Sequence, residues 1–226
     1  MPFPRSLSAR PLFDARIGGN SFGNLPEWDL TDLYESPDAK ALAVDLDYVE
    51  TSGTNFEAIY KDQLATLDAK GLLACVRSYE MIETTAGRLM SYAGLRYYQN
   101  TMDSERAKFM ADMQDRITNA TTPMVFFSLE FNRLDEDHLT RLYAENADLA
   151  RYKPVFDRMR AMRPHQLSDE METYLHDASV VGASAWNKLF DETMAGLMFT
   201  VAGEEEELNL EATLNLLTDP DRSKRE

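Results

Sequence analysis

Three histidines, one cysteine and two groupings of glutamate are the side chains of this sequence best suited to catalysis or metal binding. A helical zinc site needs two histidines four residues apart, so that both imidazoles face one ion, with a glutamate beside the first as general base. His138, His165 and His176 do not stand at that spacing, and none belongs to a His-Glu-x-x-His run. His138 and His165 fall in polar helix-start regions. His176 has Asp177 beside it, but neighbouring helical residues point in different directions. All three read as surface or locally bonded histidines.

Glu80 and Glu83 form Glu-x-x-Glu within a long helical pattern. Two-metal bundle sites pair Glu-x-x-His on two helices with further glutamates opposite, and here the histidine is missing. A solvated or ion-paired helix flank is the reading, and a di-metal bundle enzyme is the weakest of three functional alternatives. Glu204 to Glu207 lack the alternating ligands and the glycine of a calcium loop, so they read as a charged hairpin turn. Cys75 lies between Ala74 and Val76 and reads as a small core residue. A single cysteine excludes an intrachain disulfide and a cysteine-based zinc site. There is no phosphate-binding glycine loop and no Gly-x-Ser-x-Gly elbow. No residue is assigned as catalytic, cofactor-binding or metal-ligating.

The elements around these residues are helical. Leu72, Val76, Tyr79, Ile82, Ala86, Leu89, Ala93 and Tyr97 recur at steps of three or four, which predicts one long helix with an apolar face. Gly87 and Gly94 lie on or near that face, and the expected compensation for their helix cost is close approach of a neighbouring helix. Ser36-Pro37-Asp38 opens an earlier helix, with Thr51-Ser52-Gly53-Thr54 marking a kink or short break. A helix from about Ser104 carries Phe109, Met113, Ile117 and Ala120 and is kinked or ended by Pro123. Further helices start near Asp135, at Lys153 and after Ser168, the last with an N-cap serine. Met90, Met102, Met110, Met113 and Met124 fit helix faces and read as core packing. Trp186, Leu189, Phe190 and Thr193 form a heavy aromatic face of another helix. Leu197 to Val201 and Leu208-Asn209-Leu210 then predict a β-hairpin. Leu25 to Tyr34 reads as an irregular strap anchored by Trp28, Leu30, Leu33 and Tyr34. The fold class is mainly α: a multi-helix bundle or array of long antiparallel helices with a small β-hairpin near the C-terminus.

Composition narrows the function. The chain has 226 residues, a net charge of −16 and 44% hydrophobic residues. That charge repels phosphate backbones and acidic membrane surfaces, so neither nucleic acid nor membrane is expected as a partner. No apolar run reaches signal-peptide or membrane-spanning length, and a soluble cytoplasmic protein is the default.

Several segments together resemble the N-terminal region of the oligoendopeptidase F branch of the M3 zinc metallopeptidases. They are Leu25-Pro26-Glu27-Trp28-Asp29-Leu30-Thr31-Asp32-Leu33-Tyr34, Gly87-Arg88-Leu89-Met90-Ser91-Tyr92-Ala93, His165-Gln166-Leu167-Ser168-Asp169-Glu170-Met171-Glu172, Ala185-Trp186-Asn187-Lys188-Leu189-Phe190-Asp191-Glu192 and Leu217 to Arg225. The resemblance implies the non-catalytic helical portion of a cytoplasmic zinc endopeptidase that hydrolyses oligopeptides, walling the substrate channel and limiting substrate size. It implies zinc in a separate catalytic domain and no cofactor in this chain. The implied partners are oligopeptide substrates and the protein's own C-terminal catalytic domain. The implied layout is a flexible leader over 1–24, a helical N-terminal domain over 25–200, and over 196–226 a hairpin and the start of a helix leading into that catalytic domain. Asp219-Pro220 opens this last helix, and the chain is expected to continue past Glu226. The alternative is a stand-alone helical module that binds a protein or peptide and has no enzymatic activity.

Overall fold

A computed structural model describes residues 28–203 and 206–225. The expected leader over 1–24, the first three residues of the strap, and Glu204 and Glu205 of the expected turn lie outside the described residues. Helix α1 spans Lys40–Tyr60, α2 Ala69–Gln99 and α3 Ser104–Thr121. Each of these packs on the other two. Asp45 meets Arg88, and Phe56 meets Tyr79, so α1 and α2 run antiparallel. Tyr92 meets Phe109, so α3 runs antiparallel to α2. Glu50 pairs with Arg116 and Gly53 lies against Ala120, so α1 and α3 run parallel. The mainly α expectation holds.

Short polar side chains set most of the helix starts. Asp68 accepts from the Gly71 amide at 2.7 Å, and Asp103 from the Glu105 and Arg106 amides at 2.9 and 3.2 Å. Asp135 accepts from the His138 amide at 3.0 Å, which opens α5, Glu136–Glu145. Such caps satisfy amides that have no partner within the helix. Pro123 sits in a 3-10 turn, Thr122–Met124, that separates α3 from α4, Phe126–Arg133. The chain then runs through α6, Ala147–Ala150, and α7, Lys153–Ala161.

The core is aromatic at its centre. Phe56 packs against Tyr60, Tyr79, Phe126 and Phe127, and Phe131 stacks on Phe156 with ring centroids 4.0 Å apart. Cys75 is buried within this core, as expected. Of the five methionines read as core, Met113 and Met124 are buried, Met90 and Met110 pack against it, and Met102 is exposed.

Four expectations change. Thr51–Thr54 does not break α1, which is continuous. Helix α1 starts at Lys40 and has no side-chain cap, rather than at Ser36-Pro37-Asp38. The close helix approach occurs at Gly53, where an added Cβ would collide with the Ala120 carbonyl. Gly87 faces open space, and Gly94 has only the Tyr98 ring edge at 3.9 Å. Finally, Trp28 does not anchor the strap, because it is 58% exposed. The strap is held by Tyr34, which is buried against Tyr92 and donates to Asp45 Oδ2 at 2.6 Å. Arg88 completes the attachment. Its guanidinium lies 4.5 Å from the Tyr34 ring centre and donates to the Leu33 carbonyl at 2.6 Å. Two of the segments quoted above for the resemblance, around Tyr34 and around Arg88, therefore meet in space.

Beyond α7 come α8, Asp169–Ala178, and α9, Ala183–Gly196. Strands β1, Met198–Phe199, and β2, Leu208–Asn209, pair antiparallel with Phe199 opposite Leu208. The expected hairpin is present but shorter. Leu210 leaves it to open α10, Leu210–Asn215, where Asn209 caps the Ala212 amide at 2.9 Å. A last turn, α11, spans Arg222–Arg225.

Candidate functional site: an uncovered apolar face

Among the described residues the buried apolar core ends at Phe156. Helices α8 and α9 contain no buried residue at all. The aromatic face anticipated on α9 exists, but nothing covers it: Trp186 is 70% and Phe190 62% exposed, with Leu189 beside them. Residues three and four apart are neighbours on a helix surface, so these three side chains form one patch. Met171, Tyr174 and Leu175 make a second such patch on α8, with Tyr174 64% exposed. Val181, between the helices, is also exposed, as is Met198 on β1. Exposed apolar patches of this kind are candidate interaction sites. The sequence reading found the α9 face but missed the α8 patch, although Met171, Tyr174 and Leu175 stand at helical spacing.

Helix α8 is fastened to the body by polar contacts. Ser168 caps its start, and Glu172 accepts from the Leu167 amide at 2.9 Å. Arg133 forms an ion pair with Asp169, and Asn132 Nδ2 donates to Gln166 Oε1 at 3.0 Å. At the other end, the Thr122 hydroxyl donates to Asp177 at 2.5 Å, and His176 Nε2 lies 3.2 Å from the Thr121 hydroxyl. His176 is thus bonded across the fold rather than locally, and Asp177 turns to a different partner. The phenol of Tyr97, on α2, is buried without a hydrogen-bond partner. Burial raises its pKa, and the Glu192 and Asp191 carboxylates of α9 push it the same way.

The remaining groups singled out from the sequence are dispersed. Glu80 accepts from the Tyr152 hydroxyl at 2.6 Å, whereas Glu83 lies in the field of His176 and beside Tyr79. The pair therefore does not converge on one point. His165 is exposed in the turn that follows α7, and Glu206 and Glu207 are exposed after β1. His138 lines a cavity of about 450 Å³ with Asp62, Glu130 and Arg133. Three of its charged groups are engaged: Glu130 accepts from the Asp62 amide at 2.7 Å, Arg133 pairs with Asp169, and Asp135 caps α5. The described residues bring no three of His, Cys, Asp and Glu into a group able to hold a metal ion.

The described residues form a helical lobe with apolar side chains uncovered on α8 and α9. Comparison with known proteins gives its relatives. Residues 130–199 match the family described as Oligopeptidase F. The chain is 26% identical over 183 residues to Oligopeptidase PepF of Bacillus subtilis (strain 168), covering 79% of this chain and 26% of that protein. It is 23% identical over 205 residues to Group B oligopeptidase PepB of Streptococcus agalactiae serotype III (strain NEM316), covering 88% of this chain and 33% of that one. The crystal structure of oligoendopeptidase-F from Enterococcus faecium superposes with a TM-score of 0.66 over 88% of this chain and 38% of that one. At 20% identity that likeness speaks to the fold. The chain is thus similar to oligoendopeptidase F-like M3 peptidases, most clearly over residues 130–199. It spans about a quarter to a third of the length of the two oligopeptidases.

Proposed function

We propose that this chain is the non-catalytic helical portion of a zinc metalloendopeptidase that hydrolyses oligopeptides. In this reading α8, α9 and the hairpin form part of the wall of the peptide channel and limit what enters it. The observation that carries it is the apolar face around Trp186 and Phe190, presented outward from a body whose own core is complete without it. The relatives bearing the same region are oligopeptidases, which supports peptides as the ligands. The zinc implied by the family does not fit the donors here. His138, His165 and His176 sit on α5, in the turn after α7 and on α8, each apart from the others. The metal and the hydrolytic step belong to a separate catalytic domain, and no chemical step is assigned to this chain.

The test is to assay the chain alone and joined to a domain carrying His-Glu-x-x-His. Alone, it is expected to bind no stoichiometric zinc and to cut no peptide. The joined protein should cut short peptides and spare folded proteins. One zinc per isolated chain with chelator-sensitive cleavage would overturn the non-catalytic reading. A joined enzyme that accepts folded proteins equally well would overturn the channel-wall role.

A further inference from the structure

Charge and exposed apolar surface coincide in this chain. Between residues 166 and 218 there are eleven Asp and Glu and a single Lys. Ten of the sixteen net negative charges therefore fall in less than a quarter of the sequence. The lone Lys188 stands 3.8 Å from Glu192 on its own helix. The same stretch holds most of the large apolar side chains that are exposed among the described residues. Glu170 is exposed and stands one helical turn before Tyr174. An aromatic surface among carboxylates attracts apolar and cationic groups together, through burial, Coulomb attraction and cation–π contact. It repels anionic peptides, and it repels a second copy of itself.

Resting on the peptidase reading above, we propose that the α8–α9 face selects cationic oligopeptides, with Lys or Arg interspersed among apolar residues. The aromatic and aliphatic side chains receive the apolar positions of the peptide. Glu170, exposed beside the α8 patch, receives a basic one. The surrounding acidic surface raises the local concentration of such peptides and disfavours acidic ones. Selection of this kind acts before any bond is cut and needs no catalytic group in this chain.

The chain supplies its own reporter, because it has only two tryptophans. With Trp28→Phe, emission from the exposed Trp186 reports occupancy of the face. The probes are synthetic peptides of equal length and apolar content in which the charged positions are all Lys/Arg, all Glu or all Ser. The cationic peptide should blue-shift Trp186 saturably and bind roughly tenfold or more tightly than the acidic one. The preference should shrink several-fold between about 0.05 and 0.5 M NaCl as charges are screened. Glu170→Gln should reduce it without changing the thermal midpoint, and Phe190→Ser should weaken all three peptides alike. Equal binding of cationic and acidic peptides would overturn the proposal by showing apolar adhesion alone. So would a blue shift that follows protein concentration without peptide, or loss of the peptide response once a catalytic domain is joined. If the joined enzyme fails to cut peptides while charge-selective binding persists, the peptidase reading fails and the recognition by this face stands.

Discussion

Gly53 of α1 lies directly under the main chain of Ala120 in α3, and a methyl group at Gly53 would occupy the space of the Ala120 carbonyl oxygen. Two parallel helices are brought together here by the absence of a side chain, and the neighbouring Glu50–Arg116 pair ties them at 2.7 Å. Gly87, on α2, has nothing in the space a Cβ would fill.

These two glycines should respond in opposite directions to alanine. Gly53→Ala forces the helices apart and should destabilise by about 1–3 kcal/mol, as overpacking does. Gly87→Ala meets no obstacle and should stabilise by about 0.5–1 kcal/mol through helix propensity. Urea unfolding of both variants checks this, and equal effects at the two sites would remove the argument from close approach.

Arg160 holds the end of α4 to α7. Its guanidinium donates to the carbonyls of Phe131 and Leu134, each at 2.9 Å, and pairs with Glu136 at 3.0 Å. Both carbonyls lie where a helix runs out of internal donors. Arg160→Met keeps much of the stem and removes every donor, so a loss of about 1.5–3 kcal/mol is expected. Arg160→Lys should recover only part of it, since one ammonium cannot reproduce the planar fork.

Cys75 is fully buried, and burial pushes its thiol up to about 12. The thiolate is the reactive form, so an aromatic disulfide reagent at neutral pH should leave the native protein unlabelled and modify one thiol per chain in denaturant. Rapid labelling under native conditions would contradict the packing around α2.

Alkaline pH should weaken the fold through its tyrosines. Burial, followed by the Asp157 charge, pushes Tyr143 up to about 12 from an ordinary 10.0, and burial raises Tyr34 and Tyr79 too. A raised tyrosine keeps its proton in the folded state after the unfolded chain has lost it. Its contribution is full below pH 10 and is lost as pH rises from 10 towards 12. Thermal midpoints should therefore decline across that window. A flat profile would mean that these phenols are freely hydrated.

Most helices were legible because their cause is local. The run from Leu72 to Tyr97, Pro123 after α3, and the starts at Asp135 and Ser168 each declare themselves within a few residues. The misreadings share the opposite cause. Whether Gly53, Gly87 or Gly94 meets a neighbouring helix depends on α3, which no pattern inside α1 or α2 encodes. Of the four strap residues read as anchors, Tyr34 is buried with Asp45 and Arg88 at its hydroxyl and ring, whereas Trp28 is left exposed. The α9 face around Trp186 was visible as periodicity. That it stays uncovered was not, since a helical stripe looks the same whether or not something packs on it.

The end of the core at Phe156 should divide the chain into two exchange regimes. Amides of α1 to α3 should exchange with solvent only when the whole body opens, whereas those of α8 and α9 are protected by helical bonds and a few polar latches. Exchange in the second region is then a gauge of what sits on it. Slowed exchange at Trp186 to Phe190 would register an occupant directly, on a background set by a body that stays closed.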